Sequence, residues 1–152
     1  MRLLGISGDR LRTYRLPVRR LNEHRQDILE EMVAFDRAVR PDLVLTMNSC
    51  DTHQDHEVVH AESVRAFRKT TLLGYETPWN QATGHFDLFV ELDEDDVALK
   101  KKMLMAYQSQ VALGRPYVSE DFVETTTRFR GYHGKLSRAE VYEVLSMRWE
   151  LP

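Results

Sequence analysis

The predicted fold of this chain depends on the stretch PDLVLTMNSCDTHQDH, residues 41–56. Its apolar part, 42–47, comes directly after a predicted helix and is bounded by Pro41 and by the polar pair 48–49. A compact apolar run in this position is typical of a buried strand. The residues after this strand are polar and lead into another helical pattern. Because ligands bind at the carboxyl ends of the strands in open α/β sheets, the loop over 48–56 is the first place to look for a functional site.

The segments around this stretch alternate between helical and strand patterns. Apolar residues recur every three or four positions from Asn22 to Val39, with Asn22 placed to cap, and again over 58–67. Elsewhere the patterns predict strands over 71–75, 86–90 and 139–145, helices over 94–108 and from Ser119, a turn over 131–134, and at most a short strand at 14–16. This alternation predicts an α/β sheet flanked by helices.

Composition excludes several classes of protein. The 152 residues suit one domain, and 21 Lys and Arg against 24 Asp and Glu give a net charge of −3, so nucleic acid is not an expected partner. The apolar runs are too short to span a bilayer and no secretory signal is present, so we expect no membrane partner and a cytoplasmic protein. Cys50 is the single cysteine, so His and carboxylate side chains must hold any metal.

Four residues of the loop have side chains suited to metal binding or acid–base chemistry: Asp51, His53, Asp55 and His56. Imidazole and carboxylate ligands suit zinc, and a His beside a carboxylate can act as a tuned acid or base. One short loop cannot close a tetrahedral site, so a further ligand must come from elsewhere. The alternative is that Asp51 or Asp55 caps the following helix and both histidines are surface groups.

A second motif overlaps the first, because residues 56–60 read HEVVH and fit the HExxH pattern of zinc metallopeptidases. The polar residues before His56 argue against this alternative, and Ser63 and Ala66 stand where an extended motif has Gly and His. Glu76 could be proposed as a third ligand. Two histidines in mid-helix that face one metal would favour the peptidase, whereas His56 at the helix start beside His53 would disfavour it.

The order DTHQDH after the strand over 41–46 resembles the second metal motif of the PIG-L, or LmbE-like, family of metal-dependent N-deacetylases. Other stretches resemble the polysaccharide-pathway branch of that family: 75–80, 86–90, 100–110, 128–131 and 139–144. The resemblance extends from about Tyr14 to Trp149. It implies a Rossmann-like, mostly parallel sheet flanked by helices. It also implies a bound zinc or other divalent ion and an activity that uses this ion, namely hydrolysis of the acetamide of an N-acetylglucosamine-type sugar or sugar conjugate.

The resemblance also implies roles for individual residues. His56 matches the family's metal-binding His, and His53 matches the His that, when protonated, stabilises the oxyanion or aids the leaving amine. Asp55 matches the carboxylate that orients and charges that His. Three further residues are expected at the substrate: Asp51, Arg130 and Glu140.

The family's first motif, of the His-Pro-Asp-Asp-Glu type, is absent from this sequence. We therefore expect residues 1–152 to form a single, N-terminally incomplete domain that lacks the first strand or strands, with one of three metal ligands and no general base. The missing segment would come from outside the chain. The alternative is an inactive relative that acts as a binding or scaffold protein. In either case a second copy or a partner chain could cover the exposed edge of the sheet.

Overall fold

A four-stranded mixed sheet forms the centre of the fold in the computed structural model, which describes residues 2–148. The strands are β1 (Leu43–Met47), β2 (Thr71–Tyr75), β3 (Leu88–Glu91) and β4 (Ala139–Ser146), in the order β1-β2-β4-β3. β1 and β2 are parallel, whereas β4 lies antiparallel to both of its neighbours. The α/β class is confirmed. The prediction of a mostly parallel sheet is wrong, because β4 enters between β2 and β3 in the opposite direction.

Five α-helices accompany the sheet in residues 2–148: α1 (Arg25–Val39), α2 (Gln54–Ala66), α3 (Glu94–Met105), α4 (Gln108–Val111) and α5 (Glu120–Gly134). Short 3-10 turns occupy Arg2–Leu4, Gly8–Arg10, Leu21–His24 and Pro78–Asn80. The start of α5 is capped as predicted, since the Ser119 hydroxyl accepts from the backbone N–H of Phe122 at 3.1 Å. None of the helices in the described chain has the length and apolarity needed to cross a membrane.

Two predicted helix bounds differ from the structure, because the helix predicted over 94–108 ends at Met105 and α2 begins inside the loop predicted over 48–56. Three further local predictions also differ. Residues 14–16 form no strand among the described residues, and α1 begins at Arg25 after a 3-10 turn that contains Asn22. The predicted turn over 131–134 is helical. A Cβ at Gly131 would lie 2.7 Å from the carbonyl oxygen of Ser137. This glycine therefore marks a close approach between α5 and the chain that follows it, rather than the end of the helix.

The helices pack in two groups. α1 and α2 pack together and α2 contacts β1, whereas α3 packs on α5 and α5 contacts β3 and β4. Leu72 on β2 and Val123 on α5 each keep only 1% of their surface exposed. Burial of such a side chain contributes about 2 kcal/mol to folding. The loop after β1 is therefore attached to a sheet with a well-packed core.

β1 is an edge strand of this sheet. Among residues 2–148 it pairs with β2 alone, and its Leu43 and Leu45 side chains remain about half exposed. Such an edge presents unpaired backbone groups beside apolar side chains.

Candidate functional site

The loop that follows β1 is held by its own polar side chains. Oδ1 of Asn48 accepts from the backbone N–H of Cys50 at 2.9 Å, and Oδ1 of Asp51 accepts from the N–H of His53 at 2.9 Å. These two bonds form successive turns of the type that Asn and Asp favour. The N–H and hydroxyl of Thr52 also donate to the carbonyl of Asn80, at 3.2 and 2.8 Å. The loop therefore has a defined conformation before any ligand binds.

Glu143 on β4 ties this loop to the centre of the sheet. Its buried carboxylate accepts from the Ser49 N–H at 2.7 Å and from the Ser49 hydroxyl at 2.6 Å. The loop crosses close to Gly74 on β2, where a Cβ would lie 2.9 Å from Cα of Asn48. Sequence reasoning missed Glu143, for which the only signal was an acidic residue within the apolar pattern of β4.

Asp51 and His56 form a close side-chain pair within the site. Nδ1 of His56 lies 2.7 Å from Oδ2 of Asp51, whose side chain is fully buried. The hydroxyl of Thr77 donates to the same oxygen. Burial raises the pKa of Asp51, but the hydrogen bonds from Thr77, from the His53 N–H and from His56 outweigh it and leave the pKa below its ordinary value. The carboxylate therefore stays ionised and holds a proton on Nδ1 of His56, which leaves the Nε2 lone pair free.

His53 lies directly beside His56. It is the N-cap residue of α2, and its Nδ1 accepts from the backbone N–H of Asp55 at 3.2 Å. The two imidazole rings stack, with centroids 4.4 Å apart and planes inclined by 28°. Because Nδ1 of His53 accepts a hydrogen bond, the neutral ring carries its proton on Nε2. The site thus pairs one ring with a free Nε2 lone pair and one ring with an Nε2 proton.

Asp55 contacts His53 through its backbone rather than through its carboxylate. The carboxylate accepts from the backbone N–H groups of Arg19 and Leu21, at 2.6 and 3.2 Å. It therefore attaches the segment before α1 to the start of α2. Asp51, which we predicted at the substrate, has a fully buried side chain whose Oδ2 lies 2.7 Å from Nδ1 of His56.

His60 has a different partner from His56. Its Nδ1 lies 2.9 Å from the carbonyl oxygen of Met47 at the end of β1, whereas His56 is the third residue of α2 and stacks on His53. Within residues 2–148, no three His, Cys, Asp or Glu side chains are grouped closely enough to hold a metal ion.

A cavity of about 440 Å³ contains the other two predicted substrate residues, Arg130 and Glu140. Nε of Arg130 donates to both oxygens of Glu76 at 3.1 Å, and Lys100 pairs with Glu140. Burial raises the pKa of Glu140, but the charge and hydrogen bond of Lys100 prevail and leave it lowered. The cavity adjoins the loop site through the chain, since Glu76 lines it and the next residue, Thr77, binds Asp51.

Comparison with protein-family models finds no match to this sequence, and comparison with curated proteins finds none either. A solved structure with a similar fold is that of the conserved protein TT1542 from Thermus thermophilus, with a TM-score of 0.65 and 18% sequence identity. The match covers 83% of this chain and 61% of that one, so this chain spans about three-fifths of its length. At this identity the similarity establishes the fold alone.

Proposed function

We propose that this chain forms part of a zinc-dependent N-deacetylase of the PIG-L, or LmbE-like, type. The observation that carries the proposal is the Asp51–His56 pair, in which a buried carboxylate holds Nδ1 and leaves Nε2 free. Metal-binding histidines in proteins are commonly oriented in this way. The parallel β1–β2 pair, joined through α2, also supports a Rossmann-like arrangement of LmbE type for this half of the sheet.

Zinc does not fit the described residues by themselves. His56 offers one nitrogen, and residues 2–148 hold no group of three ligands. The proposal therefore requires the remaining ligands and the general base to come from another segment or from a partner chain. A zinc ion bound there would polarise the acetamide carbonyl and lower the pKa of a bound water.

The side chains of this chain have separate roles in the proposal. His53 stands beside His56 with a proton on Nε2, so it can donate to the oxyanion that develops on the acetamide carbonyl, and in its protonated form it can aid the departing amine. Asp51 is a positioning residue for His56. Asp55 holds the start of α2 through Arg19 and Leu21. In the proposal, the cavity that Arg130 and Glu140 line binds the part of the substrate beyond the N-acetyl group.

An assay of sugar N-deacetylation with added zinc tests the proposal. The chain should be inactive alone and active when co-expressed with the open reading frame directly upstream. In the active preparation, His53→Ala should lower kcat by 10²-fold or more, whereas His60→Ala should leave it within about twofold. Absence of deacetylation in both preparations would contradict the proposed enzyme activity. A loss of kcat with His60→Ala as large as that with His53→Ala would favour a metal site of the HExxH type, as in metallopeptidases.

The exposed edge of β1 supports a second candidate, a catalytically inactive binding or scaffold protein. Leu43 and Leu45 lie on that edge, about half exposed, and a second copy or a partner chain could pair with it. Sedimentation should then detect a dimer that the edge substitution Leu45→Lys dissociates. A stable monomer that captures no partner through this edge would contradict the scaffold role.

A further inference from the structure

The cavity has the dimensions of a small-molecule site, and one wall is aromatic. Its volume of about 440 Å³ lies in the usual range for ligand pockets. Trp79 stacks on Tyr117 with ring centroids 4.3 Å apart and planes inclined by 10°, and Phe122 lies tilted beside Trp79 at 6.0 Å. Trp79 nevertheless keeps 45% of its surface exposed, so part of its ring remains free for a ligand. Such a wall favours a flat apolar group.

The charged residues of the cavity neutralise one another. Arg130 is paired with Glu76 and also lies over the ring of Phe86, with its guanidinium carbon 4.0 Å from the centroid. Lys100 is paired with Glu140. A ligand carboxylate or ammonium would have to displace one of these partners, and the displaced side chain would lose its hydrogen bonds. The pairing therefore favours a ligand without charge.

Three of the hydroxyl groups that line the cavity already donate within the protein. Thr126 donates to the carbonyl of Phe122 at 2.7 Å, Thr127 to that of Val123 at 2.8 Å, and Tyr142 to Glu140 at 2.6 Å. A sugar ring would bring several hydroxyl groups that need partners in this cavity, and each one left unpaired would cost free energy. An unsubstituted aromatic or aliphatic ring would bring none.

We propose that this cavity binds a neutral, largely apolar ring, and that the natural substrate therefore carries such a group as its aglycone. The identification of the ring as part of a substrate rests on the proposed deacetylation. The binding of the ring is independent of the proposed deacetylation, because it depends on Trp79 and on the paired charges of the cavity rather than on the histidines. The substrate class is then an N-acetyl sugar conjugated to an uncharged apolar group rather than a free sugar.

Calorimetric titration without zinc tests this inference with two probes that differ only at the aglycone. We expect the phenyl β-glycoside of N-acetylglucosamine to bind at least about fivefold more tightly than the methyl β-glycoside, since stacking on one aromatic face contributes about 1 kcal/mol. Trp79→Ala should remove that difference, and Trp79→Phe should keep most of it. Tyr132→Ala is the matched control, because Tyr132 is an exposed aromatic residue outside the cavity.

Each contrary outcome has a distinct meaning. Equal affinity for the two glycosides, or a preference for the phenyl group that survives Trp79→Ala, would overturn the inference. Tighter binding of a 4-carboxyphenyl glycoside would also overturn it, because Arg130 or Lys100 would then be exchanging its partner for the ligand. Binding that follows the prediction without any deacetylation in the co-expressed preparation would leave the cavity assignment in place and remove the proposed function.

Discussion

The loop after β1 and the aromatic cavity are adjacent, yet they are held in place by different forces. In the loop, buried polar side chains bind one another and the backbone, with Asp51 and Glu143 each accepting more than one hydrogen bond. In the cavity, stacked rings and charge pairs form a partly exposed wall. A buried polar network fixes donors and acceptors at defined positions, whereas an apolar wall tolerates variation in what it binds. The contrast agrees with the proposed reaction site in the loop and the proposed recognition site in the cavity.

Removal of the Asp51 carboxylate should cause the largest loss of stability. Asp51→Ala leaves His56, Thr77 and the His53 N–H without their buried acceptor, and we expect the free energy of unfolding to fall by about 3 kcal/mol. Urea unfolding measures this change. Asp42→Ala is the control, because Asp42 is exposed beside the same strand and should change stability by less than about 0.5 kcal/mol. If the two variants were equally stable, the loop would not depend on this network.

Crowding at Gly74 should have the next largest effect. The Cβ added by Gly74→Ala would press on Cα of Asn48, and we expect a loss of about 2 kcal/mol in the free energy of unfolding together with displacement of the loop. Gly8→Ala is the matched substitution, since a Cβ there meets no atom within 4 Å. Thermal unfolding compares the two. A Gly74→Ala variant as stable as Gly8→Ala would contradict the close approach of the loop to β2.

The smallest effect concerns acid stability outside both sites. Hydrogen bonds from Arg138, Lys101 and Arg128 lower the pKa of Glu124 to about 2. Because this pKa is depressed on folding, the stabilisation is complete above pH 4.5 and is lost as the pH falls toward 2. Glu124→Gln should flatten that part of a plot of stability against pH, and high salt should shrink the difference. The exposed Glu120 on the same helix provides the control substitution. An unchanged acid slope in Glu124→Gln would contradict the ion-pair cluster.

Much of the helix and strand order follows from local pattern. The strand over 71–75 has the predicted bounds, β1 begins one residue later than predicted, and Ser119 caps α5 as predicted. The helix α2 begins at Gln54, inside the predicted loop. The direction of β4 was not predictable in this way. It depends on where α5 ends relative to β2 and β3, which is a tertiary property. The glycines of 131–134 led us to predict a turn, whereas Gly131 lies within α5 and allows its close approach to Ser137.

The candidate site was predictable in its residue types but not in its pairing. The sequence placed Asp51, His53, Asp55 and His56 in one loop at the end of a strand. The structure places Asp51 in that loop, His53 at the N-cap of α2, and Asp55 and His56 in the first turn of α2. The sequence could not indicate which carboxylate faces which ring, because a separation of two residues (Asp55 to His53) and one of five (Asp51 to His56) are both possible at a loop-to-helix junction. Glu143 lies 94 positions from Ser49 and was beyond any local rule.

Nitrogen-15 NMR of the histidine rings during a zinc titration of the co-expressed preparation tests the central claim most directly, namely that His56 presents Nε2 as a metal ligand. Before zinc is added, His56 should carry its proton on Nδ1 and His53 should carry its proton on Nε2. Zinc should shift the Nε2 resonance of His56 and leave His60 unchanged, and Asp51→Asn should weaken this response about tenfold or more. A proton on Nε2 of His56, or equal zinc shifts at His56 and His60, would contradict the account.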